Sequence, residues 1–344
     1  MAKQCIGLDI GSHSVKLVKL RNSRKELSLS CYDFETIPHQ SIVDGSIINT
    51  GAIADAVRAI VSRHKIRQKD VAVAVSGSAT IMKRIELPLM SEQELAEQII
   101  WEAEHHIPFA IEEVEIDYQI LNRQTDQDTM EIMLVAAKKD VVADYVDVVR
   151  EAKLNPIVVD IAAFAIQNCY EQNYGLHEEV IALIHCGAVG TTFNVIKEGN
   201  SMFSRYISNG GESFTAEIQR QLNLSREEAE SLKLAPPTEQ GSARPIIDNH
   251  AENMAGELQR TLDFYLATAA EQQIDRILLS GGSSKIGSLS QALAARARIP
   301  VSVLNPFRGL VVDDRHVDTE FVEHYAPQAS VATGLALRYQ GDNQ

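Results

Sequence analysis

The feature that most constrains this sequence is an internal repeat whose two copies lie about half the chain apart. Each copy reads as an apolar strand, a glycine turn and a second apolar strand, and a third strand pattern follows: IGLDIGSHSVKLVKL (6–20) before ELSLSCYDFETI, and ALIHCGAVGTTFNVI (182–196) before NSMFSRYIS. In this alignment Gly11 corresponds to Gly187, and Asp9 corresponds to His185. The repeat predicts two similar domains that face each other.

The composition is that of a globular protein with two domains or one large composite. The chain has 344 residues, of which 45% are hydrophobic and 23% charged. Its 47 acidic residues outnumber the 32 basic ones, and the formal net charge of −15 repels nucleic acid and anionic lipid. We therefore expect no nucleic-acid partner.

The cysteines and the apolar runs favour a cytoplasmic location. The four cysteines form no CxxC pair, so we expect reduced, buried thiols at positions 5, 31, 169 and 186. The first residues lack the pattern of a signal segment, and no apolar run approaches the roughly 20 residues that a membrane helix needs.

Segment 81–155 is predicted to be a small α+β unit with the order strand, helix, strand, strand, followed by a helix at about 140–153. Ser91 and Glu94 form a capping box that opens the first helix, which we expect to extend to about His106. Trp101 on this helix is interpreted as a filler of the unit's core, with a partner contact as the alternative.

Outside this unit, three further segments have clear patterns. We predict a helix over 50–64 and a buried strand over 70–76. The stretch 235–250 is rich in Pro, Gly and polar residues and predicts a mobile connection.

The turn of the first repeat carries residue types that can hold a phosphate. Asp9 ends a strand, where a carboxylate can hold water on Mg²⁺, and Gly11 permits the turn. Ser12 and Ser14 can donate hydroxyls to phosphate oxygens, and Lys16 can neutralise their charge. Taken alone, the stretch GLDIGSHSVK also fits the polar tip of a β-hairpin.

Two glycine pairs strengthen the case for a ligand cleft. Gly210 and Gly211 precede the helix pattern SFTAEIQRQL, and Gly281, Gly282 and Ser283 follow the strand pattern RILLS. A glycine pair beside a helix lets backbone N–H groups approach a ligand, and the helix N-terminus adds partial positive charge. Convergence of these turns on one interdomain cleft would suit a nucleotide.

Together these motifs resemble the superfamily of actin, Hsp70 and hexokinase ATPases. More closely, the chain resembles the PilM family of actin-like type IV pilus assembly proteins, which are relatives of the cell-division protein FtsA. The resemblance covers nearly the whole chain and rests on KRIELPLMSEQELAEQIIWEAEHHIPF (83–109), EEVEIDYQIL (112–121), NPF (305–307) and SVATGLALR (330–338).

This resemblance implies an α/β, actin-like (ribonuclease H-like) two-domain fold with an interdomain nucleotide cleft and an inserted strand–helix–strand–strand (SHS2-type) subdomain. The implied first domain comprises 1–80 with 156–180 and 326–344, and the insertion is 81–155. The implied second domain is 181–325, with 205–270 as its smaller subdomain.

The resemblance also implies sites for ATP and Mg²⁺. The first loop, the two glycine pairs and Ser283 would contact the nucleotide. The resemblance adds Gly187 and Thr191, with Thr192, at the phosphates, and Glu230 and Lys233 beside the nucleoside. Asp9 and Asp160 would hold the metal through water. The alternative role for Asp160 is to cap the next helix. The alternative for Glu230 and Lys233 is an ion pair on the protein surface.

The second loop departs from the family pattern, in which an acid precedes the glycine. Here the loop reads His185-Cys186-Gly187, so one metal-positioning acid is missing. We therefore expect slow ATP hydrolysis or none, and we nominate no catalytic residue. Metal ligation by His185 and Cys186 is the weaker interpretation, because two ligands do not make a site.

The implied function is an ATP-binding cytoplasmic scaffold of the type IV pilus inner-membrane assembly platform. Its partner would be the N-terminal cytoplasmic tail of a PilN-like inner-membrane protein, docked in a groove between the insertion and the first domain, beside other platform components. Membrane contact would be indirect, and self-association is compatible with the sequence. Two alternatives remain: a filament-forming protein like FtsA, or a small-molecule kinase of the same superfamily.

Overall fold

The fold is described from a computed structural model, which describes residues 4–22, 26–123, 128–269, 273–312 and 317–342. The strands in these residues are β1 (Ile6–Ile10), β2 (Ser14–Asn22), β3 (Leu27–Thr36), β4 (Ile42–Val43), β5 (Ser46–Ile47), β6 (Asp70–Val75), β7 (Thr80–Pro88), β8 (Val114–Asn122), β9 (Thr129–Lys138), β10 (Asn155–Ile161), β11 (Ile181–Cys186), β12 (Thr191–Lys197), β13 (Asn200–Ile207), β14 (Arg276–Ser280), β15 (Val301–Val303) and β16 (Val311–Val312).

The helices are given in chain order. They are α1 (Thr50–Arg63), α2 (Glu92–Glu104), α3 (Lys139–Glu151), α4 (Ala162–Tyr174), α5 (Gly211–Leu222), α6 (Arg226–Leu234), α7 (Arg244–Thr268), α8 (Gly287–Ala297), α9 (Thr319–Tyr325) and α10 (Ser330–Ala336). Short 3₁₀ turns lie at Ile111–Glu113, Gly241–Ala243, Gly282–Lys285 and Ala326–Ala329.

The first copy of the repeat forms the centre of a mixed sheet with the order β10-β6-β1-β2-β3-β16. Strands β1, β2 and β3 are an antiparallel meander, and β6 and β10 add in parallel beside β1. Helices α1 and α3 pack together on one face of this sheet. The predicted meander, the helix at 50–64 and the strand at 70–76 are confirmed.

The second copy forms a sheet with the order β13-β12-β11-β14-β15, which matches β3-β2-β1-β6-β10 of the first sheet strand for strand. The register repeats as well, because Asp9 lies opposite Lys16 and His185 lies opposite Thr192. The sequence repeat is therefore a structural repeat.

Helices α4 and α10 pack between the two sheets. Their buried side chains share one apolar cluster with residues of β6, β11 and β14. A methyl group on Gly334 of α10 would overlap the carbonyl oxygen of Ala165 in α4, so glycine is what allows these helices to approach so closely. This shared layer positions the two sheets relative to each other.

The insertion forms a three-stranded antiparallel sheet, β7-β9-β8, with α2 on one face. The capping box at Ser91 and Glu94 is present, as predicted. Leu95, Ile99 and Ala103 face the sheet, whereas the Trp101 side chain is 69% exposed. The interpretation of Trp101 as a core filler is therefore wrong: it lies about 200° around the helix from Ile99, on the opposite face.

Three boundaries differ from the expectation. Helix α3, predicted within the insertion, packs on α1 and belongs to the core of the first sheet. Residues 307–312 and 317–325, predicted in the second domain, return to the first sheet: β16 pairs with β3, and Phe307, Leu310 and Val322 pack against that sheet. The predicted connection 235–250 is helical from Arg244 onward, because Ile246 and Ile247 open a long amphipathic helix that is buried on the second sheet.

The four cysteines are free and buried, as expected. Across the described ranges, no helix has both the length and the apolar character that crossing a membrane would require.

Candidate functional site

A cavity of about 340 Å³ lies where the carboxyl ends of β1 and β11 face each other. Its lining comes from both copies of the repeat, and includes the turn after β1, the turn after β11 and the glycine turn after β14. The ends of parallel strands are where open α/β sheets bind ligands, because the loops there leave backbone groups free of the sheet's hydrogen bonding.

The first turn brings an acid and a base together at the cavity wall. The Nζ atom of Lys16 lies 3.0 Å from Asp9 Oδ2 and donates to the Ser14 carbonyl oxygen at 3.3 Å. Both side chains are nearly enclosed, at 12% and 14% exposure. A Cβ atom on Gly11 would lie 2.8 Å from Lys16 Nζ, so a larger residue here would displace the lysine ammonium from its present position. Ser12 and Ser14 also line the cavity.

The second turn is held by the two glycine pairs. The carbonyl oxygen of Gly187 accepts hydrogen bonds from the Gly211 backbone N–H (2.9 Å) and from the Ser283 hydroxyl (2.9 Å). The Glu212 N–H donates to the carbonyl oxygen of Ala188 at 2.7 Å. The predicted convergence of these turns is therefore a hydrogen-bonded assembly centred on Gly187.

Glycine is required at the close approaches in this assembly. Gly281 has φ of +87°, in the region that side chains disfavour, and a Cβ atom there would overlap the Cys186 carbonyl oxygen. A Cβ atom on Gly210 would lie 2.6 Å from the carbonyl oxygen of Ala188.

Glu230 and Lys233 form a buried pair at the far side of the cavity. Lys233 Nζ lies 2.6 Å from Glu230 Oε2 and donates to the Gly211 carbonyl (3.1 Å) and the Thr215 hydroxyl (3.0 Å). Lys233 is only 5% exposed, so the pair is not the surface ion pair weighed as the alternative. Burial lowers the pKa of Lys233. Burial acts to raise the pKa of Glu230, but the Lys233 charge and the hydrogen bonds from Lys233 and Thr215 together outweigh it, so the pKa of Glu230 falls.

His185 occupies the place that Asp9 has in the first repeat. Its Nδ1 atom lies within hydrogen-bond distance of the hydroxyls of Ser280 (3.0 Å) and Ser330 (3.2 Å). Burial lowers the pKa of His185 to about 4, a drop that the nearby Asp9 opposes and Lys16 assists. The imidazole is therefore neutral at pH 7, and this wall of the cavity carries no second negative charge.

The structure brings most of the predicted residues together. Those that line the cavity are Asp9, Gly11, Ser12, Ser14, Lys16, Gly187, Thr192, Gly211, Glu230, Lys233, Gly281, Gly282 and Ser283. Gly210 lies just behind the wall, against the second turn.

Thr191 and Asp160 are placed elsewhere. Successive strand residues point to opposite faces, so Thr192 faces the cavity and Thr191 turns inward to donate to the Asn209 carbonyl at 2.7 Å. Asp160 is buried away from the cavity lining, where its carboxylate pairs with Arg338 at 3.1 Å and accepts the Ile161 N–H. Asp160 is therefore absent from the lining of the cleft, and the start of α4 has no side-chain capping bond.

Sequence reasoning missed several lining residues, among them Phe34, Tyr206, Lys285, Tyr325 and Gln328. Phe34 could have been found, because it lies directly opposite Lys16 in the antiparallel register of β2 and β3. Tyr206 packs on Gly190, and its ring lies close to Gly77 across the cleft. No local sequence pattern predicts this contact.

One acid of the cavity, Asp9, is paired only with Lys16, the lysine that we expect to contact phosphate. Of its acids, Glu212 pairs with Arg226 and Glu230 with Lys233, which leaves Asp9 beside Lys16. Within the described part of the chain, no cluster of three or more His, Cys, Asp or Glu could hold a metal by protein ligands alone. A Mg²⁺ ion that keeps its waters and binds through phosphates fits this donor set better than a protein-caged metal.

Comparison with solved structures supports an actin-like fold. Similar chains include ethanolamine utilization protein EutJ from Carboxydothermus hydrogenoformans (13% identity, TM-score 0.60, covering 98% of this chain and 90% of that one) and MreB5 of Spiroplasma citri bound to ADP (14%, 0.52, 96% and 94%). At these identities the likeness concerns the fold alone, and the expected α/β actin-like class is confirmed.

A nearer relationship is also found. The solved "PilM-PilN type IV pilus biogenesis complex" contains a chain that is 26% identical, with a TM-score of 0.87 and coverage of 98% of this chain and 99% of that one. The sequence profile described as "Type IV pilus assembly protein PilM" matches residues 7–340. The chain therefore belongs to the PilM family of type IV pilus assembly proteins.

Proposed function

We propose that the chain is an ATP-binding scaffold of the type IV pilus inner-membrane assembly platform, located in the cytoplasm and held at the membrane through its partners. The observation that carries the proposal is the set of glycine turns that meet at Gly187 around a cavity lined by Lys16 and Lys233. Membership of the PilM family supports the role in pilus assembly.

The shape and charge of the cavity suit a nucleoside triphosphate. Its volume of about 340 Å³ falls within the roughly 300–1,000 Å³ typical of small-molecule sites. Gly11 and Gly211 expose their backbone to the cavity. A side chain at either position would contact Lys16 or Ser283 too closely. Helix α5 begins at Gly211 in the lining, so its N-terminus directs partial positive charge toward a bound anion.

Each group of residues has a distinct role in this proposal. Lys16 neutralises phosphate charge, and the hydroxyls of Ser12 and Ser14 donate to phosphate oxygens. Glu230 and Lys233 hold the nucleoside, and the turn at 281–283 lies against the adenosine. When bound, ATP with Mg²⁺ would supply the negative charge that these lysines and the N-terminal dipole of α5 compensate.

The proposed protein binds ATP better than it hydrolyses it. Asp9 is the carboxylate that remains to hold metal-bound water, while the equivalent position in the second repeat is the neutral His185. Hydrolysis by phosphoryl transfer depends on an oriented water and on compensation of charge on the transferred group. With one acid at the phosphates in place of two, we expect turnover to be slow or absent.

The proposed partner is the N-terminal cytoplasmic tail of a PilN-like inner-membrane protein. The similarity to a chain of a PilM–PilN complex supports this partner. Candidate groove segments are 82–88, which form most of β7, and 104–109, which follow α2. Contacts with other platform components and self-association are further parts of the same proposal.

The proposal is tested by calorimetric titration with ATP and Mg²⁺ of the wild type, Lys16→Ala and Lys19→Ala. Lys19 lies on the same strand but pairs with Ile6 at the other end of β1, so its replacement is the matched control. We expect micromolar or tighter binding that Lys16→Ala weakens at least about tenfold, since a buried charge-assisted contact contributes roughly 1.5–3 kcal/mol. Equal affinity of the two variants, or no binding by folded wild type, would refute the nucleotide role.

A further inference from the structure

The inserted sheet has one face toward the first domain and one face away from it. Met82, Val135 and Ala137 pack into the core of the first sheet, whereas Ile85 and Leu134 face α2 on the other side. Helix α2 therefore lies on the side of the insertion that is remote from the first domain. Its outer surface points away from that domain and meets the candidate groove segment 104–109 only at its C-terminal residue, Glu104.

This outer surface exposes two large apolar side chains. Trp101 is 69% exposed and Ile100 is 49% exposed, although both belong to a well-capped helix whose inner face is fully packed. Trp101 is the single tryptophan of the chain. Adjacent exposed aromatic and aliphatic residues of this size are typical of contact surfaces rather than of solvated helix faces.

Acidic residues surround these two side chains. Helix α2 carries five glutamates, at 92, 94, 97, 102 and 104, and its last turn holds no basic residue. Glu102 and Glu104 lie at the C-terminal end, where the helix dipole disfavours negative charge. Glu92 pairs with Arg123 and Glu94 caps the helix, but Glu97 and Glu104 make no ion pair within the described ranges.

We propose that this acidic aromatic face, defined as Glu97, Ile100, Trp101 and Glu104, binds a basic amphipathic segment of another protein. Trp101 and Ile100 would bury against its apolar side, and the two glutamates would pair with lysine or arginine at its rim. Such a partner removes the apolar exposure and compensates the acids at the helix C-terminus. The proposal does not depend on nucleotide binding, and it shares only Glu104 with the segments proposed for the PilN-like tail.

The charge pattern also decides against the other occupants. A second copy docked through the same face would place Glu97 and Glu104 against a like-charged rim, because a two-fold interface is self-complementary. An anionic lipid surface would repel the glutamates for the same reason. A basic partner is the occupant that both the apolar centre and the acidic rim favour.

Trp101 makes the test direct, since the intrinsic tryptophan fluorescence of the full chain reports only on this face. The probe is a synthetic amphipathic helix of leucine and lysine, with the same sequence carrying glutamate for lysine as its counterpart. We expect a saturable blue shift of the emission with the basic peptide and none with the acidic one. Calorimetry with Trp101→Ala should show binding weakened by about tenfold or more.

A pair of charge variants separates the face from the general negative charge of the protein. Glu97→Lys with Glu104→Lys alters the proposed face, and Glu115→Lys with Asp117→Lys alters exposed positions on the opposite side of the same sheet. Both double variants change the formal net charge from −15 to −11. We expect the first to weaken peptide binding about tenfold and the second to leave it nearly unchanged.

Three results would overturn the proposal. Equal weakening in both double variants would mean that the peptide responds only to net charge. A blue shift that depends on protein concentration without peptide would assign the face to a second copy. A blue shift with phosphatidylcholine–phosphatidylglycerol vesicles, but not with the peptide, would assign it to the membrane.

Discussion

Replacement of His185 by asparagine should change how the stability of the protein depends on pH. The folded state holds this imidazole against the hydroxyls of Ser280 and Ser330, where burial lowers its pKa to about 4. In the unfolded chain the pKa of histidine is about 6.5. Below that pH the unfolded state binds a proton that the folded state does not accept, so folding stability is lost as the pH falls.

The size of the effect follows from the two pKa values. Between about pH 7.5 and about pH 5.5, this one group should lower the free energy of unfolding by about 1.3 kcal/mol. The ring keeps some contact with the cavity solvent, which reduces the expected loss to about 1 kcal/mol. Asparagine retains a hydrogen-bonding group near the two hydroxyls but does not titrate, so the variant lacks this contribution.

The measurement is urea unfolding of the wild type and His185→Asn at both pH values, which lie above the isoelectric point of about 5.1. We expect the wild type to lose about 1 kcal/mol more than the variant over this interval. Because every other titrating group is common to the two proteins, the difference isolates the imidazole. Identical pH dependence would show that His185 titrates normally in the folded state, and the reasoning about a neutral second loop would then be refuted.

Two further substitutions test the architecture of the site. Gly281→Ala should lower the melting temperature and weaken ATP binding, because φ is +87° and the methyl group would overlap the Cys186 carbonyl oxygen. The control is Gly287→Ala, which has open space around the new methyl group and should behave as wild type in the same thermal-shift assay. Asp160→Asn should destabilise the protein by about 1.5 kcal/mol in chemical unfolding, because it removes one of the two carboxylates that pair with the buried Arg338 and leaves Asp342 as the other. ATP and Mg²⁺ affinity should stay unchanged, and a large loss of Mg²⁺-dependent affinity would restore the metal role for Asp160.

The fold could be predicted from sequence to the extent that local patterns repeat. The two strand–glycine–strand stretches have the same register in both sheets, and Gly11 and Gly187 have the same place in them. Glycine turns can be recognised in the sequence because few other residues fit where two backbone segments come close together, as Gly281 and Cys186 do. For these reasons the first loop and the glycine turns of the cavity lining could be predicted from the sequence.

The errors share a different cause, which is that tertiary contacts decide what a local pattern leaves open. Asp160 ends a strand as a cleft acid would, but Arg338, from the far end of the chain, captures its carboxylate. Trp101 has the volume of a core residue, yet Leu95, Ile99 and Ala103 already fill the face of α2 that meets the sheet. Neither outcome follows from spacing along the chain.

The repeat also explains why its two turns present different charges to the cavity. In the first copy, the paired positions of the two strands hold Asp9 and Lys16, and in the second copy they hold His185 and Thr192. The backbone of the two copies therefore forms a nearly symmetric cradle, while the ionised pair at its centre comes from one copy alone. A phosphate bound between the two turns would meet Lys16 on one side and the neutral His185 and Thr192 on the other, while Lys233 reaches the cavity from α6, outside the repeat. That asymmetry supports an anion's binding without supplying a second acid to position a metal, which is why binding and turnover separate in the proposed function.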